Sequence, residues 1–367
     1  MASNFELRQA TENDTGIIRD LIHATPQDGD LLINFEREPN FFDGTKVTTS
    51  KPDVWLYYDN IKKQLGGVFS FGSREVYVNG ARKQIRYAND LRIHSDYRGS
   101  RSLLRMFNQV KKQLNDREWM QTVILSDNQA SLSTVGSGRA GLPTYYPYGK
   151  VATHMLYVSG KKPEINNGIN IRLAKPDDIN AMQRFFNKEA PKKQFYPHYE
   201  FNNLKTEDSY YNNLSIENYF LAFNGSEIVG ICGFWNQKEF KQTRFLEYRG
   251  KMRLLRQVNN VYSKLFGGIQ LPKPGDTLDY ISLHTILVKN NNPGIFSSLL
   301  RRAYNHFCSQ PISAIVTGLS IDDPLSEVYK KYRKQTIYSN HFLMSYEEDP
   351  RETLDREKTL YLEISRA

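Results

Sequence analysis

Apolar positions along this chain fall into short alternating runs joined to stretches with three- and four-residue spacing, and the same succession occurs twice. Phe5-Glu6-Leu7-Arg8-Gln9 alternates as a strand, and after Asp14 the spacing of Ile17, Ile18, Leu21 and Ile22 predicts an amphipathic helix. Ile169-Asn170-Ile171-Arg172-Leu173, then Asp178, Ile179 and Met182, repeats that order at an offset of about 164 positions from Arg8 to Arg172. Val54-Trp55-Leu56-Tyr57-Tyr58, turning through Asp59-Asn60 into Leu65-Gly66-Gly67-Val68-Phe69, reads as a hairpin. Its partner is Tyr219-Phe220-Leu221-Ala222-Phe223, the Asn224-Gly225 turn and Ile228-Val229-Gly230-Ile231-Cys232.

Each copy continues with an extended segment, a sharp turn and a second amphipathic helix. In the first copy these are Ile85 to Ile93, Tyr97-Arg98-Gly99-Ser100, and a helix through Leu103, Leu104, Phe107, Val110 and Leu114. In the second they are Tyr280 to Val288, Asn291-Asn292-Pro293-Gly294, and a helix through Phe296, Leu299, Leu300, Ala303 and Phe307. The offset has grown by about 30 residues, which places a basic, aromatic insertion at about 238–275 in the second copy. A further strand follows each helix, at Thr122 to Leu125 and at Ala314 to Thr317. The pattern predicts an α+β protein of two tandem domains, each a mixed central sheet flanked by helices. The domains are expected at 1–160 and 168–346, with turn formers from Ser159 to Gly168 as linker and 347–367 as a charged tail carrying one strand-like patch at Leu360-Tyr361-Leu362.

Composition narrows the function classes. The chain has 367 residues, 39% hydrophobic and 24% charged, a globular make-up that excludes wholesale disorder, collagen and coiled coil. No apolar stretch approaches the length of a bilayer span and the N-terminus lacks a leader-like pattern, so a soluble, cytoplasmic protein with no membrane partner is expected. Cys232 and Cys308 are too few for a disulfide scaffold or a four-cysteine zinc site, and the seven histidines are scattered, so no metal is expected. The net charge of +9 favours an anionic partner. Without a block of like charges or interleaved stacking aromatics, nucleic acid is an unlikely one.

Gly136-Ser137-Gly138-Arg139-Ala140-Gly141 matches G-x-G-x-x-G, but a helix-like segment precedes it and Leu142-Pro143 follows, so it reads as a loop. The strand-turn-helix at Arg98 has more chemical content. A helix N-terminus offers unpaired N–H groups and partial positive charge, a cradle for pyrophosphate. There Arg98 supplies a charged donor, Gly99 allows close backbone approach, Ser100 brings a hydroxyl, and Arg101 and Arg105 add charge. The plain alternative is a solvated turn.

These features together resemble the GCN5-related N-acetyltransferase (GNAT) superfamily, present twice in tandem over about 5–158 and 169–346. Asp90-Leu91-Arg92-Ile93-His94-Ser95-Asp96-Tyr97-Arg98-Gly99 looks like that family's stretch from its fourth strand into the acetyl-CoA loop. Asn128-Gln129-Ala130 resembles the segment beside the pantetheine arm, and Asp322-Asp323-Pro324-Leu325 with Tyr329 looks like the same region of the second copy. The departures are Arg101 and Leu103 where small residues are usual in the first loop, and Asn291, Pro293 and Phe296 in the second. The first copy keeps the basic residue, and Pro293 removes an N–H from the second cradle, so the first copy is the better cofactor binder.

The resemblance implies that acetyl-CoA, as cosubstrate, lies in a splayed gap between two parallel strands and gives its acetyl group directly to an amine. Cofactor contacts are expected from Ile93, Arg98, Gly99, Ser100, Arg101, Ser102, Leu103 and Asn128. Asp90 or His94 is the candidate base, alone or through water, with Asp90 alternatively paired to Arg86 or Arg92. Tyr329 holds the family's acid position in the second copy, or is a core aromatic, while the first copy has Val135 there and Tyr145, Tyr146 and Tyr148 soon after. The expected protein is an acyl-CoA-dependent N-acetyltransferase acting on a primary amine, a monomer or weak homodimer, its insertion covering the cleft between copies. Rivals are a catalytic second copy and a non-catalytic CoA- or peptide-binding module.

Overall fold

The computed structural model describes residues 4–27, 31–99, 101–135, 138, 140–266 and 271–367. The first half runs β1 (Phe5–Gln9), α1 (Thr15–Ala24), β2 (Leu31–Glu36), α2 (Phe41–Lys46), β3 (Pro52–Asp59), β4 (Gln64–Val78), β5 (Ala81–Ile93), α3 (Ser102–Gln113), β6 (Met120–Leu125), α4 (Gln129–Val135) and β7 (Thr144–Tyr157). The second runs β8 (Asn170–Leu173), α5 (Ile179–Glu189), β9 (Tyr219–Asn224), β10 (Glu227–Trp235), β11 (Gln242–Tyr248), α6 (Gly250–Phe266), β12 (Tyr280–Val288), α7 (Pro293–Phe307), β13 (Ala314–Ser320) and β14 (Lys334–Ser345).

The repeat is visible in side-chain detail. Arg8 grips Asp14 through both guanidinium nitrogens, and Asp14 also accepts the Thr11 N–H at 2.8 Å, which turns the chain from β1 into α1. Arg172 grips Asp178 in the same way, and Asp178 accepts the Lys175 N–H at 2.7 Å. The Arg8 hydrogen bonds hold the Asp14 carboxyl down at about 2. Both amphipathic helices lay their apolar faces on the sheet. Met106, Phe107 and Val110 are buried from α3, and Phe296, Leu299, Leu300, Ala303 and Phe307 from α7. Each large side chain so buried stabilises the fold by about 2 kcal/mol.

One twelve-stranded sheet runs through both halves in the order β1-β3-β4-β5-β6-β14-β7-β13-β12-β10-β9-β8. Each half lends its last strand to the other: β14 pairs antiparallel with β6, and β7 pairs antiparallel with β13. The two lent strands pair with each other from Lys334↔Leu156 to Ser345↔Thr144 and form the seam. Within each half one parallel pair stands out, β5 with β6 and β12 with β13. A second, two-stranded sheet also crosses the halves, pairing β2 with β11 of the insertion.

The segment after β14 is a charged tail only in its first part, and 360–366 packs into the body. Tyr361, Leu362, Glu363, Ser365 and Arg366 are buried. Tyr361 stacks on Tyr196 at 4.1 Å between ring centroids, and Arg366 donates to the carbonyls of Val47 and Tyr210 at 2.7 Å while lying 3.6 Å over the Tyr210 ring. Glu363 and Arg366 find partners far away in sequence, at Thr285, Val47 and Tyr210, which no local window shows, whereas Asp349 pairs with Arg351 two positions on.

Candidate functional site

A bulge opens the sheet in each half. Val68 faces Arg92 and Ser70 faces Asn89, so Asp90 and Leu91 together stand opposite Phe69, and Asp90 takes a φ of +54°. The extra residue bends β5 away from β6. Their parallel register is Arg86↔Met120 and Tyr87↔Gln121, with the Thr122 hydroxyl bonded to the Ala88 carbonyl at 2.9 Å at the point of divergence. The second half repeats the device: the register of β10 with β12 shifts between Ile231 and Gly233, and Thr285 has φ +49°. Gly233 is required there, because a Cβ would lie 2.3 Å from the His284 ring.

The two gaps differ in what they hold. The second is filled by the chain itself: Glu363 Oε2 accepts the Thr285 N–H at 2.8 Å and the Tyr361 hydroxyl at 3.0 Å, and the Tyr361 hydroxyl accepts the Ile286 N–H at 3.1 Å. The first opens into a cavity of about 580 Å³, lined by Ala88 to Ile93 on one side and Thr122 to Leu125 on the other. Beside α3 the cavity lining is apolar, with Phe69, Phe71, Met106, Phe107, Val110 and Met344 in one cluster. Across the seam its wall comes from the second half and the insertion, including Lys241, Phe245, Leu278, Tyr280 and Ile337.

At the α3 end, Arg98 is exposed, lines the cavity and donates to the Ile93 carbonyl at 3.4 Å. Gly99 has φ +74°, a left-handed turn that a side chain would strain. Ser102 opens α3 but turns its hydroxyl inward to the Tyr97 carbonyl at 3.0 Å, and Arg101 is exposed. Ile93, Leu103 and Asn128 line the cavity, and the Asn128 side chain accepts the Ser131 N–H at 3.0 Å, which caps α4. Ser100 lies outside the described residues, as do Gly136, Ser137 and Arg139 of the glycine-rich loop. The corresponding second turn is tied into the fold: Asn291 donates to Asp323 at 2.9 Å, and Asp323 forms a buried ion pair with Lys193 at 2.6 Å.

The opposite end is charged. Asp90 pairs with Arg37 at 2.7 Å rather than with Arg86 or Arg92, since Arg86 is held by Glu118 at 3.1 Å and the Arg92 guanidinium faces Gln27. Burial lowers the Arg92 pKa. Lys241, on the cavity wall, donates to the main-chain oxygens of Ser365 at 3.1 Å and Ala367 at 2.9 Å. Burial first, then repulsion by Arg37, brings its ammonium down to about 7. Sequence reasoning missed Arg37 and Lys241, whose only local signal is that each stands beside a strand.

Asp90 is thus brought to one cavity with Ile93, Arg98, Leu103 and Asn128, whereas Gly99, Arg101 and Ser102 stand outside its lining, as do the other two catalytic candidates. His94 Nε2 lies 3.1 Å from Gln64, its Nδ1 accepts the Asp96 N–H at 3.3 Å, and it stands outside the cavity lining. Tyr329 is buried in the second core, bonded to Thr317 at 2.8 Å and packed on His154 and Phe296. Of the first-copy tyrosines, Tyr145 lines the cavity, and burial raises its pKa, so its hydroxyl keeps its proton. Among the described residues no cluster of three or more histidine, cysteine, aspartate or glutamate side chains is suited to a metal. Nor is any described helix long and apolar enough to cross a membrane.

No family model and no curated protein sequence matches the chain. Solved structures do. A GCN5-related N-acetyltransferase from Sphaerobacter thermophilus superposes with a TM-score of 0.60 at 12% identity, over 94% of this chain and 96% of that one. The N-myristoyltransferase of Saccharomyces cerevisiae with bound myristoyl-CoA gives 0.59 at 12% identity, over 99% and 90%. A GCN5-related glucosamine N-acetyltransferase region in a fungal multi-domain β-N-acetylglucosaminidase gives 0.59 at 12%, over 94% of this chain and 38% of that one. The chain therefore has the GNAT fold, in two tandem copies.

Proposed function

We propose that the protein is an acyl-CoA-dependent N-acyltransferase that uses the gap between β5 and β6. The observation that carries the reading is the contrast between the gaps, one open to a cavity along both strand edges, the other filled by Tyr361 and Glu363. The phosphates would lie at the Arg98 turn and the N–H groups that open α3, and the pantetheine arm along the freed edge of β5. The thioester would then sit near Asp90. The reversed assignment has less support, because Tyr329 is packed inside the second core and the Asn291 turn is bonded to Asp323.

The acceptor is a primary amine entering from the end formed by Arg37, Asp90 and Lys241. Its ammonium must lose a proton before nitrogen attacks the thioester carbon, the C–S bond then breaks, and the sulfur leaves as a thiolate that takes up a proton. A lysine with a pKa of about 7 is half neutral at pH 7 and suited to accept the amine's proton, with Asp90 as the alternative through water. Tyr145 is the candidate donor to the departing sulfur. The acyl group is proposed to be acetyl, and the apolar lining beside α3 makes longer acyl groups part of the test.

The test is calorimetric titration with acetyl-CoA and longer acyl-CoAs, followed by turnover on an amine panel. Binding of one equivalent, weakened about tenfold by Arg98→Ala, is expected, since a single charge-assisted phosphate contact is worth about 1.4 kcal/mol. Absence of binding at millimolar ligand sinks the reading. Binding without turnover would make the protein a CoA-binding module.

A further inference from the structure

The insertion helix α6 turns an apolar stripe outward. Its inner face is fixed to the body. Met252 joins the cluster of Tyr248, Leu271 and Leu278, Arg256 donates to the Pro272 carbonyl at 3.0 Å and lies over the Tyr248 ring, and Asn260 accepts the Leu271 N–H at 2.7 Å. Positions 252, 256 and 260 form one row along a helix. The row facing away is Leu254, Leu255, Val258 and Val261, exposed by 64%, 55%, 59% and 60%. Four large aliphatic side chains this exposed within eight positions are not the scattered surface apolar residues of an ordinary domain.

The charge of the helix selects its partner. From 250 to 266 the sequence has Lys251, Arg253, Arg256 and Lys264 and no acidic residue. Arg253 is exposed beside the stripe, and Arg333 meets the helix at Asn259. Among the described side chains this row is aliphatic. Aliphatic side chains on a helix with no acidic residue and an exposed arginine beside them match an anionic bilayer surface, where they enter the acyl boundary while the cation meets headgroups.

We propose that α6 is an interfacial helix that docks the protein on anionic membrane surfaces through Leu254, Leu255, Val258 and Val261. The sequence-based expectation of no membrane partner looked for spans, and this surface needs none. The wall cluster that anchors Met252 also contains Ile33, Phe245, Leu278 and Tyr280, which line the cavity, so the docked face lies beside the proposed acyl-transfer site.

The experiment is co-sedimentation of the full chain with vesicles of phosphatidylcholine alone or mixed with phosphatidylglycerol, without acyl-CoA, so that it stands apart from the enzymatic reading. Binding to the mixed vesicles, weakened by salt and reduced at least about tenfold by Leu254→Glu with Val258→Glu, is expected, with Arg253→Gln causing a smaller loss. Both glutamates replace exposed residues, so an unchanged melting temperature verifies the fold. Absence of binding to either vesicle, or binding that the double variant retains, overturns the proposal. So does a wild-type dimer in ultracentrifugation that the double variant abolishes, because the stripe would then be covered by a second copy.

Discussion

Replacing Glu363 by alanine tests whether the second gap is closed by the chain itself. The Glu363 carboxylate is buried and takes the Thr285 N–H at 2.8 Å, the Tyr361 hydroxyl at 3.0 Å and the Ser365 hydroxyl at 3.2 Å. Alanine leaves the first two donors buried without their acceptor, at about 1 to 3 kcal/mol each, and opens a small void. The expected loss is about 3 to 5 kcal/mol. Glu363→Gln keeps an acceptor oxygen and should lose about 1 to 2 kcal/mol. Because one sheet joins the halves, urea denaturation should show a single transition, and the free-energy change follows from the shift in midpoint at constant slope. A loss below about 1 kcal/mol for Glu363→Ala would refute the argument that this carboxylate holds the gap shut. Acyl-CoA stoichiometry should stay at one in both variants, since the open gap lies across the seam.

Three further outcomes follow from the same geometry. If Lys241 accepts the acceptor's proton, kcat/KM should rise with pH through about 7, as its neutral form accumulates, and Lys241→Gln should remove that limb; a wild-type profile flat through this range counts against the role. Burial holds His154 near 4 and His341 near 3, below the ordinary 6.5, so below that value the unfolded chain takes up protons that the folded one refuses. Stability is therefore complete above about pH 6.5 and falls as pH drops, by about 2 to 3 kcal/mol per histidine near pH 4.5, and an unchanged urea midpoint there would contradict it. Tyr145→Phe should lower kcat while leaving acyl-CoA affinity within about twofold if its hydroxyl protonates the departing sulfur, and equal losses in kcat and affinity would mark it as a packing residue.

The sequence by itself determined the repeat, the hairpins and the strand-turn-helix of each copy, but not β2, α2, β7, β11 or β14. Arg8 and Asp14, like Arg172 and Asp178, are legible as repeated landmarks at the same six-residue spacing, which the structure turns into an ion pair in both copies. The helices through Phe107 and Phe296 are legible because three- and four-residue spacing commits one face to burial whatever lies beneath. Only the tertiary structure decided which strands exchange, that β7 and β14 form the seam, and that 360–366 enters the gap at Thr285 while the gap at Asp90 stays open. Periodicity records which face of an element is buried but not what buries it. The partner of Glu363 is 78 residues away and that of Asp90 is Arg37, on a segment no local pattern connects to it. The lowered pKa of Lys241 likewise comes from burial by both halves at once, a condition that exists only after they have closed on each other.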